Sequence, residues 1–341
     1  MLPISQPSNK PSIQDVARLA GVSAQTVSRV ARQAPNVRES TRDRVLLAME
    51  QLGYVPNRAA RALRSGKFRA IGVITQNLMR TGENMITAGI AAAAEERGYS
   101  VTLRQVSHPE TDDLAKAGAY FSNQSIDGLI IVQAGSGQMP STLPRNIPTV
   151  VSDSRFVDSF PSVAADQVQG TGLIMQHLFD LGHRRIAHIA GPTDSGSANT
   201  RQLIWQKYLG KAGLPLGPIA YGDWSARSGY QATIRLLREA NFTAIFSAND
   251  EMAFGAMRAL HDHSLRVPED VSVAGFDNIA LSDFAIPPLT TVTQNFEAIG
   301  RALVDLILDE IETPSGEREH LLIPCDLFAR QSTGPVNVER R

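Results

Sequence analysis

The chain of 341 residues has little cysteine and no long apolar run. Its single cysteine, Cys325, excludes a disulfide within the chain and fits a reducing compartment. No apolar stretch approaches the roughly 20 residues that a membrane-spanning helix needs. The opening segment MLPISQPSNKPS lacks the apolar core of a secretion signal. We therefore expect a cytoplasmic protein that neither enters nor crosses a membrane.

Enzyme signatures are also missing. GSGQMP begins like a dinucleotide-binding turn but lacks the third glycine and the helix that should follow. The sequence contains neither a GxxxxGK[ST] phosphate loop nor a GxSxG nucleophile elbow. The close histidines His261 and His263 have no HExxH context for a metal. We expect no catalytic residue, no metal and no cofactor, so the chain is not predicted to be an enzyme.

Positive charge is concentrated near the start of the chain. Residues 1–70 hold 12 lysines and arginines against 4 aspartates and glutamates, a net charge of +8. The other 271 residues hold 21 and 30, a net charge of -9. A small basic domain joined to a larger acidic one favours a polyanion partner for the first.

The stretch DVARLAGVSAQTVSRV predicts two short helices joined by a tight turn. Ser12 and Asp15 form a capping-box pattern for the first helix, and Gly21 is suited to end it. Ser23 can cap the second helix through its hydroxyl group. Small apolar residues at helical spacing would pack the two helices together.

The second of these helices leaves one face for a partner. That face carries Ala24, Gln25, Ser28 and Arg29, at positions i, i+1, i+4 and i+5. It offers a methyl group, an amide, a hydroxyl and a forked guanidinium, which are groups that read base edges in the major groove. A solvated helix face is the alternative, and the basic charge of this region favours DNA.

A third helix and a linker are predicted next. Ser40 and Asp43 resemble another capping box, and Val45, Leu46, Met49 and Leu52 supply an apolar stripe before Gly53. Residues 56–70 then combine helical propensity with four arginines, one lysine and few apolar residues. A segment this short is marginal as an isolated helix, so we expect it to order only with a partner.

From residue 71 onward, short apolar runs alternate with helical patterns, which predicts βαβ units in two α/β lobes. The predicted helices lie near 83–97, 111–123, 167–181, 198–212 and 250–262. Ligands of such sheets bind beyond the carboxyl ends of the strands. The residues predicted at those ends are Gln76, Asp153, Asn249 and Asp277. Asn249 and Asp250 could equally be helix caps, Asp277 a turn residue, and Asp153 a cap or turn residue.

Several segments resemble the LacI/GalR family of bacterial transcriptional regulators, from Ser12 to about Thr333. They are IQDVARLAGVSAQTVSRV, GYVPNRAARAL, GDWSARSGYQ, ANDEMAFGAMRAL, VSVAGFDN, IPPLTTVTQNF and FARQST. The resemblance implies an all-α helix-turn-helix headpiece (residues 1–55), a hinge (56–70) and a two-lobed, periplasmic-binding-protein-like effector domain (71–341). By resemblance the lobes interleave, roughly 71–165 with 293–323 and 166–292 with 324–333.

The resemblance also implies roles for individual residues. Ala24, Gln25 and Arg29 would read bases, while Leu63 of the hinge would wedge into the minor groove and kink the duplex. Asn57, Arg58 and Arg61 lie beside it, where the arginines can meet phosphates. The implied effector contacts are Asp153, Arg201, Trp224, Asn249, Asp277 and Phe296, a set suited to a polyol. Trp224 could also be a core residue.

This sequence departs from the family pattern in places. Near the implied pocket mouth it has the polar residues Gln76, Arg80 and Glu83, which leaves the identity of the sugar open. The chain ends soon after FARQST without a leucine-repeat tail, so a homodimer is expected. The implied function is that of a repressor released from a pseudo-palindromic operator by a sugar.

Two alternatives remain at this point. Within the family, a corepressor such as a nucleoside, a purine or a phosphorylated sugar could tighten DNA binding instead. Outside the family, a solute-binding protein would share the two lobes but would need a signal peptide and no basic headpiece.

Overall fold

A computed structural model describes residues 11–31, 34–55, 66–106, 113–132, 147–152, 159–239, 241–313 and 319–337. The chain divides into two compact units, Met1–Phe68 and Arg69–Arg341, which we call the headpiece and the body. In the part of the chain that the structure describes, no helix combines the length and the apolar character needed to cross a bilayer.

The headpiece contains α1 (Ile13–Ala20), α2 (Ala24–Val30) and α3 (Glu39–Leu52). The predicted capping box is confirmed: Asp15 N donates to Ser12 Oγ, and Ser12 N donates to the Asp15 carboxylate at 2.9 Å. Gly21 ends α1 in the left-handed region, at a φ of 64°, and Thr26 N donates to Ser23 Oγ to cap α2. Local sequence therefore fixes the turn between the two helices.

The third helix corrects two predictions. It begins at Glu39 after Arg38, which forms no side-chain cap, so the Ser40–Asp43 capping box was wrong. Ser40 lies inside the first turn, where its hydroxyl cannot take the capping position. Leu46 is 49% exposed rather than buried, because the buried side of α3 follows Val45, Ala48 and Met49.

The body alternates strands and helices, as predicted. Its strands are β1 (Ala70–Thr75), β2 (Ser100–Gln105), β3 (Gly128–Val132), β4 (Thr149–Val151), β5 (Ser162–Ala165), β6 (Ile186–Ala190), β7 (Ile219–Tyr221), β8 (Ala244–Ser247), β9 (Ser272–Ala274), β10 (Thr291–Thr293), β11 (His320–Ile323) and β12 (Asp326–Phe328). Its helices are α4 (Thr81–Glu96), α5 (Asp113–Ser122), α6 (Gln167–Asp180), α7 (Gly196–Lys211), α8 (Ala226–Glu239), α9 (Asp250–Asp262) and α10 (Phe296–Glu312). The pattern analysis missed β7 and α8, and it gave none of the later elements β10, α10, β11 and β12.

These elements form two parallel sheets, and the expectation of two α/β lobes is confirmed. The first lobe has strand order β11-β5-β4-β3-β1-β2, and the second lobe has order β7-β6-β8-β9. A short antiparallel pair, β10-β12, completes the second lobe. Strand β11 joins the first sheet from near the end of the chain by pairing with β5.

Helix α10 returns to the first lobe and packs closely on α4. The two helices meet at a pair of glycines: a Cβ atom on Gly300 would lie 2.6 Å from the backbone carbon of Gly89. Side chains at these two positions would force the helices apart. This contact fixes the start of α10, and therefore the ring of Phe296, against α4.

The chain crosses between the lobes at residues 165–167, 293–296 and 323–326. The first and third crossings are bonded to each other, because Asp166 N donates to Ile323 O at 2.9 Å. Cys325 is buried at the third crossing, and its backbone N–H donates to Gln169 Oε1 at 2.9 Å. Burial raises the pKa of the Cys325 thiol to about 11, which agrees with a packing role.

Candidate functional site

Helix α2 presents the predicted outward face. Val27 and Val30 are buried, whereas Gln25 and Arg29 are exposed and Ala24 and Ser28 are half-buried. Among the described residues, neither the Gln25 amide nor the Arg29 guanidinium has a hydrogen-bond or ion-pair partner. The capped N-terminus of the helix and a rigid turn hold this face in place. We call the four residues at positions 24, 25, 28 and 29 the reading face.

Asn57, Arg58, Arg61 and Leu63 lie outside the described residues, as does Asp153 of the predicted effector set.

In the body, the residues that follow strands gather with a buried arginine between the two sheets. We call this group the interlobe cluster, and its members are Arg201, Trp224, Asn249, Glu251 and Asp277. Asn249 and Asp277 follow β8 and β9, as their predicted positions at the strand ends require.

Arg201, on α7, is the centre of the cluster and is only 3% exposed. Its guanidinium lies 3.9 Å from the centre of the Phe276 ring and 5.7 Å from that of Trp224. It donates to Ala248 O, and its Nη1 lies 3.9 Å from Asp277 Oδ1. A buried arginine is tolerated here because aromatic faces and oxygen acceptors surround it.

Asp277 and Trp224 both adopt backbone conformations that their residue types rarely take. Their φ angles are 119° and 77°. Such strain persists where the surrounding structure imposes it, and it is concentrated at functional sites. Burial raises the pKa of the Asp277 carboxyl well above its ordinary value, while the neighbouring Arg201 acts in the opposite direction.

Asn249 has the capping role that the sequence had left open. Its Oδ1 accepts from Met252 N at 3.0 Å at the start of α9. Its amide group donates to Trp224 O at 3.0 Å and to Glu251 Oε2 at 2.7 Å. Asn249 therefore holds two neighbours of the cluster in place.

Glu251 was missed by sequence reasoning and connects the lobes. Its second carboxylate oxygen accepts from the hydroxyl of Thr81, at the first residue of α4. Glu251 lies in the first turn of α9, where an acidic residue is common, so its position along the chain gave no signal.

In the first lobe, Glu83 shapes the loop that follows β1. Its Oε2 accepts from Thr75 Oγ1 and Gln76 N, both at 2.9 Å, and from Asn77 N at 2.7 Å. Burial raises the pKa of Glu83, and these bonds oppose the shift. Arg80 lies 3.5 Å from the other carboxylate oxygen. Glu83 thus holds Gln76 by its backbone, and the buried side-chain oxygen of Gln76 has no hydrogen-bond partner among the described residues.

Phe296 is buried at the start of α10, with its ring 3.5 Å from the position that a Cβ on Gly82 would occupy.

The predicted effector residues that the structure describes therefore fall into two groups. Arg201, Trp224, Asn249 and Asp277 come together in the interlobe cluster. Gln76, Arg80, Glu83 and Phe296 lie around the first two turns of α4 in the first lobe.

Asp250, which the sequence left open as a helix cap, is the first residue of α9, and its carboxylate bonds elsewhere. Its carboxylate accepts from Ile279 N at 2.9 Å and from the hydroxyls of Ser282 and Thr291. Burial raises the pKa of Asp250 to about 6. Asp250 thereby fixes the loop after Asp277 to the start of α9.

In the described part of the chain, no group of three or more His, Cys, Asp or Glu side chains could hold a metal ion.

Comparisons with known proteins match both units. Residues 12–57 match the profile described as bacterial regulatory proteins, lacI family, and residues 175–333 match a periplasmic binding protein-like domain. The lactose operon repressor of Escherichia coli (strain K12) is 38% identical over 334 residues, covering 96% of this chain and 92% of that protein.

Solved structures agree with this match. The structure of a lac repressor dimer bound to operator and the anti-inducer ONPF superposes with a TM-score of 0.84 at 37% identity, covering 96% of this chain and all of that one. A complex of the transcriptional regulator CelR with cellobiose gives a TM-score of 0.72 at 31% identity, covering 94% of this chain and 99% of that one.

Proposed function

The chain belongs to the LacI family of bacterial regulatory proteins, and we propose that it is a transcriptional repressor controlled by a sugar. The family members that it resembles are transcription regulators and not enzymes. One observation carries the proposal: a single chain joins an exposed, basic reading face to a buried polar cluster between two lobes. The first suits DNA, and the second suits a small molecule with many hydroxyl groups.

The DNA-binding role is divided between phosphate and base contacts. The net charge of +8 over residues 1–70 supplies attraction to phosphates, which depends strongly on salt. Arg29 offers a fork that matches guanine in the major groove, and Gln25 offers an amide that matches adenine. Asn57, Arg58, Arg61 and Leu63 of the hinge would contact the centre of the operator.

The effector site is the interlobe cluster together with residues of the first lobe. Arg201, Asn249 and Asp277 would exchange part of their present hydrogen bonds for ligand hydroxyls, and Trp224 would cover an apolar ring face. Asp153 and Phe296 are proposed to complete the site, with Gln76, Arg80 and Glu83 at its mouth. The side-chain oxygen of Gln76, which no described residue bonds, would accept from a ligand hydroxyl.

The charge of the cluster favours an uncharged sugar. Three carboxylates, from Asp250, Glu251 and Asp277, contribute to its field. Arg201 is already bonded to a backbone carbonyl and a glutamine. Among the described residues of the cluster, a phosphorylated effector would therefore meet carboxylates and an arginine that is already bonded, and it is the less favoured alternative.

A second copy of the chain is the proposed partner in DNA binding. The loop after Asp277 exposes Leu281, Phe284 and Ile286, which are 64%, 80% and 96% accessible. Three large apolar side chains close together on a surface mark a protein contact. A homodimer would present two reading faces to a pseudo-palindromic operator.

We propose the functional division stated for the sequence: headpiece 1–55, hinge 56–70 and effector domain 71–341. The lobes are 71–165 with 293–323 and 166–292 with 324–333. A repressor of this kind acts on the bacterial chromosome, so we place it in the cytoplasm, associated with the nucleoid through its operator.

An electrophoretic shift with fragments of the source genome tests the proposal. We expect a few fragments to be retained at moderate salt and released as salt rises. Adding neutral sugars to the retained complex, with cellobiose and ribose among them, should release DNA for at least one sugar. Tighter binding upon addition of a nucleoside, a purine or a phosphorylated sugar would favour the corepressor alternative. Failure to retain any specific fragment would contradict the function.

A further inference from the structure

Two glutamines lie at crossings between the lobes and contact the charged residues of the interlobe cluster. Gln167 is the first residue of α6, just after the first crossing, and Gln294 lies between β10 and α10 at the second crossing. No motif in the sequence singled them out. Their side chains point toward each other, and Gln167 Nε2 donates to Gln294 Oε1 at 2.8 Å.

The glutamines close a ring with Arg201 and Asp277. Arg201 Nε donates to Gln167 Oε1 at 2.8 Å, and Gln294 Nε2 donates to Asp277 Oδ1. The ring closes between Asp277 Oδ1 and Arg201 Nη1, 3.9 Å apart. We call these four side chains the crossing ring.

The chemistry of the end groups fixes the direction of every bond in the crossing ring. A guanidinium can only donate, so Gln167 accepts from Arg201 with its oxygen and donates to Gln294 with its amide nitrogen, and Gln294 in turn must donate to Asp277. Gln294, Arg201 and Asp277 are each less than 9% exposed. Losing one bond therefore leaves a buried polar group without a partner, and the bonds form or break together.

We propose that Gln167 and Gln294 are positioning residues that couple occupation of the effector site to the arrangement of the two lobes. This inference rests on the proposed function of the interlobe cluster. A ligand hydroxyl that bonds to Arg201 or Asp277 competes with a glutamine of the ring. When the ring opens, Gln167 at the first crossing and Gln294 at the second lose hydrogen-bond partners at the same time. Ligand binding therefore changes the balance between two arrangements of the lobes.

The first experiment is a double-mutant cycle on the effector-free protein with Gln167→Met, Gln294→Met and the double variant. Methionine keeps the volume and removes the amide. We expect each single variant to increase hydrogen exchange at residues 165–169 and 293–298 about tenfold, with no further increase in the double variant. We expect the affinity of each variant for the operator fragment recovered by binding-site selection to differ from that of the wild-type protein by at least about threefold. The change should be equal in all three variants.

The matched control is Gln202→Met. Gln202 lies next to Arg201 on α7, but its amide donates to the hydroxyl of Tyr221 at 3.3 Å, away from the ring. This variant should leave both hydrogen exchange at the crossings and operator affinity unchanged.

A rescue experiment tests the direction of the bonds. In Gln167→Glu, Arg201 keeps its acceptor, but Gln294 then faces a carboxylate at each end and can donate its amide to only one of them. Adding Asp277→Asn supplies a donor at the far end, so Gln294 can turn its amide, accept from Asn at position 277 and donate to Glu at position 167, at unchanged net charge. We expect the double variant to recover protection at both crossings that Gln167→Glu alone loses.

Three results would overturn the inference: effects of Gln167→Met and Gln294→Met that add up, a lower melting temperature with unchanged operator affinity, or no rescue by Asp277→Asn. Failure of the proposed function looks different, since the wild-type protein would then retain no operator fragment. Hydrogen exchange is measured without DNA. If no operator fragment is retained, the double-mutant cycle and the rescue experiment therefore still test the crossing ring.

Discussion

The reading face and the interlobe cluster place functional side chains in opposite environments. On α2, Gln25 and Arg29 are exposed, and the residues that hold them in place belong to the same short segment. Arg201 and Asp277 are buried, and their partners come from α6, β8, β10 and the loops that follow. A reading face can be changed at little cost to folding, whereas a change in the cluster alters recognition and stability together.

The largest effect that separates the two regions is expected for Arg201→Ala. This variant leaves Asp277 buried without its cation, which costs about 3–5 kcal/mol of unfolding free energy. Urea unfolding followed by tryptophan fluorescence measures the body alone, because Trp205 and Trp224 are the two tryptophans of the sequence. The exposed pair Arg258–Asp262 supplies the control, and Arg258→Ala should leave the urea midpoint unchanged. A stable Arg201→Ala protein would remove the contrast between the regions.

The second effect is a loss of stability in acid that is specific to the body. His188 is buried between the rings of Trp205 and Phe246, and burial lowers its pKa from 6.5 to about 4. The unfolded chain binds a proton below pH 6.5 and the folded chain does not, so stability falls as pH drops from 6.5 to 4. The full loss is about 3 kcal/mol.

His188→Asn isolates this contribution, because it keeps a donor for Phe246 O and removes the titration. Asp250, whose folded pKa is raised to about 6, contributes with the opposite sign and is present in both proteins. The wild-type protein should therefore lose more stability than His188→Asn between pH 6.5 and 4, by tryptophan-monitored unfolding. Equal pH profiles would refute the assignment to His188.

The third effect concerns the reading face. Arg29→Ala should weaken operator binding by about 1–3 kcal/mol and relax base preference at one position of each half-site. Arg18→Ala removes the same charge from α1, outside the reading face, and should weaken binding without changing base preference. Binding-site selection with both variants measures the difference. Neither variant should change the unfolding of the body. An equal loss of base preference in both variants would show that Arg29 does not read a base.

The smallest effect tests how locally the headpiece is determined. Ser23→Ala removes the cap of α2 and should destabilise the headpiece by about 1 kcal/mol. Ser40→Ala is the matched control, since Ser40 lies inside α3 and caps nothing. Far-UV circular dichroism of thermal unfolding should show an earlier headpiece transition for Ser23→Ala only. A similar shift for Ser40→Ala would restore the capping box that the structure contradicts.

The sequence by itself determined the parts of this protein that depend on residues close together in the chain. Ser12, Asp15, Gly21 and Ser23 act through hydrogen bonds and backbone angles within a few residues, so their patterns could be interpreted directly. The alternation of apolar runs and helical segments likewise indicated two α/β lobes. The charge contrast between the first 70 residues and the rest needed no structure at all.

Tertiary structure decided which side chains meet. Nothing local distinguishes Gln167 or Glu251 from any surface residue, because the partners of Gln167 lie 34 and 127 positions away and Thr81 lies 170 positions from Glu251. Glu83 differs, because its carboxylate turns back onto its own loop and bonds residues only six to eight positions away. Burial makes these contacts strong and partner-dependent, and burial is a property of the folded chain that a one-dimensional pattern does not contain.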